Sequence, residues 1–304
     1  MTCTTNRSHR HKIGIKNGAS FPVDKRFAPV SVDHIWTPTL AKDEGQRSDG
    51  FEASEGVVSN NGKGSGAIVI EPRPDDFTAI LPLLLMGTFA GAVIEPAGVC
   101  TFFQFEHDLW IQRHRFGDCI TSTWSLDSSS RAPVLKLSWA FESKTFTQTA
   151  TAFPSPLYLS VLQPLVHTQA VVTIDGDTFL VDDVSIAGNN NLDAELFYNS
   201  PTRTDIPLGM QTFTFAHSSP FDGANDIALL NLAGAAVSAS IVYTSGPYSL
   251  TVDFPALQSP VKSPNMPGGG SQTVRHNGIQ WDARSLTVAN VVSKPIKFTL
   301  DAAA

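Results

Sequence analysis

The residue groups in this chain that have the right types for chemistry each fail at their spacing. Asn60-Asn-Gly-Lys-Gly-Ser65 has the Gly and Lys of a phosphate-cradling loop. That loop needs a Gly where Val57 stands and a Ser or Thr where Gly64 stands, so the segment reads as a flexible loop. His9 and His11 carry imidazoles that ligate metals, yet no Cys, Asp or Glu lies nearby to complete a site. His107-Asp108 and His114 supply bases without a Gly-x-Ser-x-Gly elbow or a Cys-His signature to place a nucleophile, and they read as structural histidines. Asp175-Gly-Asp177 with Asp182 and Asp183 lacks the third ligand, the Gly at position six and the closing Glu of a calcium loop. A hairpin tip is the simpler reading, because Asp-Gly tolerates the positive φ of a tight turn. Glu71, Asp75 and Asp76 suggest the paired carboxylates of glycoside hydrolysis, but a helix follows them, and a capping cluster answers its orphan N–H groups. No catalytic residue, cofactor or metal ligand is assigned, and the chain reads as a non-enzyme.

The elements that would have to position any site are mostly strands. The chain has 304 residues, 42% of them apolar and 16% charged, with 22 Gly and 20 Pro, a composition that excludes disorder and coiled coil and fits a loop-rich globular protein. The net charge of −7 excludes a sequence-independent grip on DNA phosphates. The acidity is uneven: residues 1–153 carry 15 Lys and Arg against 16 Asp and Glu, and 154–304 carry 6 against 12. Three cysteines without a CxxC indicate neither a disulfide framework nor a zinc site, and they read as reduced thiols. The N-terminus has no apolar run behind its basic residues, and the longest apolar stretch, Ala79 to Met86, is interrupted by Pro82, so the chain is expected to stay in the cytoplasm after synthesis, where Asn6-Arg7-Ser8 is no glycosylation acceptor.

Residues 1–66 read as a polar arm and loops, with Ala41 to Gly50 an exposed loop. Ala67 to Ile70 reads as a strand. A helix kinked by Pro82 follows, with Phe77, Ile80, Leu81, Leu84 and Leu85 on one face and Gly87 as its left-handed stop. Strands are expected at 101–105, 109–116, 119–126 and 134–141, divided by Gly117-Asp118 and by residues 127–130; Leu135, Leu137, Trp139 and Phe141 share one face of the last. Phe153-Pro-Ser-Pro156 marks a boundary between a first domain, 67–153, and a second, 154–304. The second half repeats the vocabulary, with strands at 171–174, 178–185, 192–198, 210–215, 235–243, 248–254, 286–292 and 296–300. Residues 220–234 repeat the acidic start, leucine body and Gly stop of 72–87, and Val261 to Ser271 forms a long loop. The expected fold is mainly β: two tandem antiparallel β-sandwich or barrel domains, each with one short flanking α-helix.

The run Ile70-Glu-Pro-Arg-Pro-Asp-Asp-Phe-Thr-Ala-Ile-Leu-Pro-Leu-Leu-Leu-Met-Gly87, the segment Val181-Asp-Asp-Val-Ser-Ile-Ala-Gly-Asn-Asn-Asn-Leu192 and the stretch Asp205-Ile-Pro-Leu-Gly-Met-Gln-Thr-Phe213 together resemble the tail tube proteins of long-tailed bacteriophages. The likeness runs from about Gly18 to the C-terminus. It implies a β-sandwich flanked by a helix, protomers that join strands into rings around a β-barrel lumen, and stacked rings through which the genome leaves the capsid. Members with a duplicated domain make a trimeric ring of pseudo-sixfold symmetry; a hexameric ring is the alternative for a single domain. The implied partners are further copies of the chain, the tail terminator, tape measure and distal tail proteins, and double-stranded DNA as transient cargo, with no membrane. The implied place is the virion tail, assembled in the host cytoplasm. An acidic lumen wall would repel phosphates and let DNA slide.

Within that resemblance, the loops at 41–56 and 199–209, with Asp43, Glu44, Asp205 and Pro207, are candidates for reaching a neighbouring ring. The basic residues Arg7, Arg10, Lys12 and Lys16 are candidates for meeting acidic surface on another subunit. Two other readings stay open at the level of sequence. One is a different virion β-sandwich: a tail terminator, baseplate ring or capsid decoration protein. The other is a carbohydrate-binding module or hydrolase using exposed aromatics among Trp36, Trp110, Trp124, Trp139 and Trp281, although Trp124 and Trp139 fall within alternating runs as core residues do.

Overall fold

The computed structural model describes residues 12–18, 25–42, 57–109, 112–150, 162–193, 203–220, 236–258, 275–288 and 291–302. Strands dominate. The first half contains β1 (Lys12–Asn17), β2 (Lys25–Phe27), β3 (Pro29–Lys42), β4 (Val57–Ile70), β5 (Phe89–Ala90), β6 (Val93–Ile94), β7 (Phe103–Asp108), β8 (Arg113–Ser129), β9 (Lys136–Ser143) and β10 (Thr145–Thr149). The second contains β11 (Ala170–Ile174), β12 (Asp177–Phe179), β13 (Asp183–Asn189), β14 (Thr212–Pro220), β15 (Val237–Ser245), β16 (Tyr248–Gln258), β17 (Arg275–Ala283), β18 (Thr287–Val288), β19 (Val291–Val292) and β20 (Lys297–Ala302). Between β4 and β5 lies the helix α1 (Phe77–Leu85).

Every described pairing is antiparallel, and eighteen of the strands are joined by continuous ladders that fold into one long run with two shorter runs against it, while β18 and β19 pair apart from them. The long sheet runs β3-β4-β9-β8-β13-β14-β17. The first half of β8 leaves it to join a second sheet, β10-β8-β7-β1-β2. A third sheet runs β12-β11-β15-β16-β20-β6-β5. Aromatic contacts show which faces meet: Phe105 and Phe116 of the second sheet pack on Phe141 of β9, and Phe254 of β16 stacks on Phe215 of β14 with ring centroids 5.7 Å apart. One contiguous buried cluster fills both interfaces. The alternation read in 135–141 is present: Leu135, Leu137, Trp139 and Phe141 are buried while Lys136, Ser138 and Glu142 are partly exposed.

The expected hairpin at Asp175-Gly176 is a two-residue turn with Ile174 opposite Asp177 and φ of +52° and +89° at its centre. Three sequence expectations give way. Gly117-Asp118 does not divide two strands; β8 passes straight through it, and the left-handed φ of Asp118 makes a bulge where the ladder slips from Phe105↔Phe116 to Phe103↔Cys119. Positive φ serves a turn and a bulge equally, so the dipeptide alone does not distinguish them. Asn60-Asn-Gly-Lys-Gly-Ser65 is not a flexible loop but part of β4, which also crosses the expected boundary at 66/67. Its glycines answer to packing: a Cβ on Gly62, Gly64 or Gly66 would run into Trp36, Phe116 and Ser143, or Phe141 respectively. Finally, the left-handed stop of α1 is Met86, with φ +50° and ψ +48°, while Gly87 is required because a Cβ there would strike the Glu95 carbonyl.

Asp76 stands at the N-cap of α1 but caps no N–H of that helix; its carboxylate accepts the Arg73 N–H at 2.9 Å and closes the 3₁₀ turn Pro74–Asp76 that leads into it. Side chains of the long sheet satisfy the far end of α1. The Leu84 carbonyl accepts the Trp124 indole N–H at 3.1 Å and the Asn190 amide at 3.3 Å, and the Leu85 carbonyl accepts the Gln211 amide at 3.3 Å. The helix is thereby fixed over the junction of β8 with β13. Beyond Pro220, where β14 ends, the expected second helix lies outside the described residues, as do the proposed boundary at 153–156 and the loop 261–271. Among the described residues no helix is long and apolar enough to cross a membrane.

Candidate assembly surface

Because one face of the long sheet is core, alternation puts a different set of side chains on the other. On β4, β9, β8, β13 and β14 that face presents Ala67, Ala140, Ser125, Ala187 and Thr214, short side chains that leave an open, shallow trough across five strands. Charged residues lie at its margins. Asp33, Asp127, Glu142, Asp183 and Asp282 are the carboxylates on this face among the described residues, against Lys63 and Lys136. Glu142 is tied to Arg203 at 2.7 Å, and Asp127 accepts hydroxyls from Ser125 and Ser185 at 2.5 Å each.

The junction in the middle of this sheet, β8 with β13, joins segments far apart in sequence. Asp183 lies opposite Ser129 and Asn189 opposite Thr123, and the Trp124 ring closes over Gly188, where a Cβ would collide with it. At the sheet's end, β3 has β4 on one side and no strand on the other among the described residues. Behind β3 is a cluster that no local motif announces. His34 Nε2 lies 2.8 Å from His107 Nδ1, and the rings of His34 and His114 are 5.1 Å apart. Burial, then the neighbouring His114, lowers the His34 pKa below the ordinary imidazole value, and burial lowers that of His114. These histidines share three strands with Phe105 and Phe116 and form no metal-ligand group; among the described residues no such group occurs. Sequence reading placed His107 and His114 as structural but missed His34, which comes from β3, 73 residues away.

Two buried networks resemble catalytic chemistry and are explained by packing. Glu106 is fully buried and paired with Arg113 at 3.0 Å and Arg115 at 2.6 Å. Ser128 lies 3.1 Å from His167 Nδ1 and 2.9 Å from the Tyr243 hydroxyl, while His167 Nε2 meets the Val181 carbonyl at 3.1 Å. Ser128 and His167 are both buried, and burial pushes the Tyr243 hydroxyl up to about 12. The chain of hydrogen bonds ties β8, β15 and the turn before β11 together. Trp124, Trp139 and Trp281 are buried and Trp36 is stacked on Phe146, so these four make no exposed aromatic platform; Trp110 lies outside the described residues.

The residues picked from sequence as interface candidates are dispersed. Lys12 and Lys16 lie in β1, held between β2 and β7. Asp205 pairs with Lys144 at 3.3 Å, and the Pro207 carbonyl accepts the Asp193 N–H at 3.0 Å; between them Ile206 is buried against Met86 and Ile120. Arg7, Arg10, Asp43 and Glu44 lie outside the described residues.

The family model described as phage tail tube protein covers residues 41–288, most of the chain. No curated protein matches the sequence.

Proposed function

The chain belongs to the phage tail tube protein family, and from that premise we propose that it polymerises as stacked rings into the conduit for genome ejection. The observation that carries this reading is the long sheet, one face core and the other a trough of short, uncharged side chains with acidic margins. We assign that face to the lumen. Small hydroxyl and methyl groups give a smooth wall, and an excess of carboxylates over lysines keeps phosphates from adhering.

Three chains per ring, in pseudo-sixfold symmetry, is the arrangement we favour, because the strand order repeats. The run β3-β4-β9-β8-β7-β1-β2 and the run β13-β14-β17-β16-β15-β11-β12 match strand for strand in chain order and adjacency. Likewise β10 and β20 each pair with the first half of β8 and β16. A chain built from two tube domains supplies two of six positions. In this reading the subunit is assembled in the host cytoplasm, works in the virion tail with terminator, tape measure and distal tail proteins, and meets DNA only as passing cargo.

Electron microscopy of the purified chain across a concentration series tests this. Hollow filaments or stacked rings of constant bore, threefold in averaged end views, are expected. Folded monomers at every concentration, alone and with tail initiator proteins, would overturn it. The lumen assignment has its own test: Asp33→Lys with Asp282→Lys is expected to slow genome ejection at low salt, and unchanged kinetics would remove that face from the lumen.

A further inference from the structure

The histidines behind β3 lie where two sheets touch. His34 comes from β3 of the long sheet, and His107 and His114 come from β7 and β8 of the second, so the 2.8 Å contact of His34 Nε2 with His107 Nδ1 runs from one sheet to the other. A neutral imidazole has one N–H and one lone pair, whereas a protonated one has two N–H groups and no lone pair. The bond therefore holds while either ring keeps a lone pair toward the other. With both rings protonated, two N–H groups would face each other at that distance. His114, its ring 5.1 Å from that of His34, brings a third group whose charge would repel the first two.

Aromatic rings surround the cluster: Phe105 and Phe116 lie against His34, and Phe146 of β10 against His114, whose Nε2 also meets the amides of Gln112 and Gln148. Alternation turns the charged groups of the neighbouring strands the other way. Asp33 on β3, Lys63 on β4 and Glu142 on β9 point to the other face of the long sheet. Lys12 and Lys16 on β1, Glu106 and Asp108 on β7, and Arg113 and Arg115 on β8 point to the far face of the second sheet. Solvent protons still reach the pair, because His34 and His107 line an open groove with residues 29–33 and Leu109. The strand that carries His34 also has fewer ties than its neighbour. β3 pairs with β4 and with no other strand among the described residues, whereas β4 is held on its other side by β9 from Gly64 onward. Two residues along β3, on the face of His34, Trp36 stacks on Phe146 with ring centroids 5.7 Å apart.

We propose that this cluster is a proton-operated latch: neutral, it holds β3 on the second sheet, and on taking up protons it releases the part of β3 that carries His34 and Trp36 while the rest of the fold stays closed. The device belongs to the single chain and goes beyond the tube reading, which stands or fails without it. Its direction follows from burial. Burial, then the neighbouring His114, holds the His34 pKa below the ordinary imidazole value, against its own backbone and Asp33, and burial does the same at His114. Once released into water, His34 returns toward the ordinary value of 6.5, so the released form takes up protons before the docked form as pH falls. The released-to-docked ratio then rises about 10-fold per pH unit for each proton that the released form holds beyond the docked one.

Fluorine NMR of the full-length chain carrying 5-fluorotryptophan tests this between pH 8 and pH 5, with Trp36→Phe identifying the Trp36 signal. That signal is expected to move reversibly to a solvent-exposed position below about pH 6.5, the ratio of the two populations changing about 10-fold or more per pH unit, while the buried Trp124, Trp139 and Trp281 keep their signals. A Trp36 signal that stays in place down to pH 5 overturns the latch. So does one that moves only together with the three buried tryptophans, as in acid unfolding of the whole chain. His34→Gln and His107→Gln each keep an amide within the pair and are expected to hold Trp36 docked at pH 5. A wild-type response preserved in both variants places the trigger in other groups and overturns the assignment to these histidines.

Discussion

The strands β3 and β13 hold the same place in two matching runs, and their surroundings differ in a way that tracks what each must meet. Behind β13 the interface is mostly aromatic and apolar: Phe213 lies against Trp124 and Phe215 against Phe254, Trp124 closes over Gly188, and the one buried histidine named there, His217, lies parallel to the Trp281 ring. Behind β3 the interface is titratable, with His34, His107 and His114, and the strands that carry the last two also hold the buried Glu106–Arg113–Arg115 group. A junction made once, within a folding chain, can be sealed by apolar packing. β3, which has one neighbouring strand among the described residues, is backed instead by a cluster of histidines. Shared strand order therefore does not require shared core chemistry, only that each buried polar group finds a partner.

The largest effect expected from breaking this contrast is at Glu106. Glu106→Gln keeps the shape but removes the buried charge that Arg113 and Arg115 share, and should cost about 3–5 kcal/mol of unfolding free energy in urea titrations of the free chain. Next comes the sealed junction: Gly188→Ala drives a methyl into the Trp124 indole, which also donates to the Leu84 carbonyl, and should cost about 1–3 kcal/mol. A loss below about 0.5 kcal/mol in either variant would mean that the region relaxes more freely than its packing indicates.

These two sites also mark how much was legible in the sequence. Trp124 and the alternating run 135–141 announce core strands, because period-two burial is local and each residue needs only its second neighbour to be read. The Asp-Gly hairpin is legible for the same reason. Gly188 beneath Trp124, and Gly62, Gly64 and Gly66 beneath aromatic rings, are not, since glycine signals a turn unless the ring that forbids its Cβ is known. The strand-order repeat was visible only as two similar capped segments, and the pairing of β8 with β13 depends on a contact between distant segments. The histidine cluster was hidden for the same reason: each member is unremarkable on its own strand.

The histidines sharpen the comparison through pH. Burial holds the folded pKa of His34 below the ordinary imidazole value of 6.5, with the neighbouring His114 lowering it further, while the backbone and Asp33 oppose this. The unfolded chain therefore takes up protons first as pH falls through about 6.5, so stability is full above that value and declines below it, levelling once the native cluster is also protonated. His34→Gln removes one titrating ring and retains an amide that can meet His107. Its urea midpoint should fall less than the wild type's between pH 7 and pH 5; an equal fall would place the pH dependence elsewhere, with the carboxylates.

The smallest effect expected is at Asp205, and its value lies in what it separates. The carboxylate is more than half exposed, so its bridge to Lys144 is worth about 0–1 kcal/mol, and Asp205→Asn should barely move the unfolding midpoint. The segment is held regardless, by Ile206 buried against Met86 and Ile120 and by the Pro207 carbonyl on Asp193. If 203–209 serves only the fold, the substitution leaves assembly untouched as well. If the segment reaches a neighbouring ring, the expectation the sequence raised for Asp205 and Pro207, the lost charge raises the concentration at which filaments first appear while unfolding stays the same, and sedimentation of assembled from free chain at low and high salt reads that difference directly. A charge-dependent shift in assembly without a shift in stability would make this segment a stacking contact.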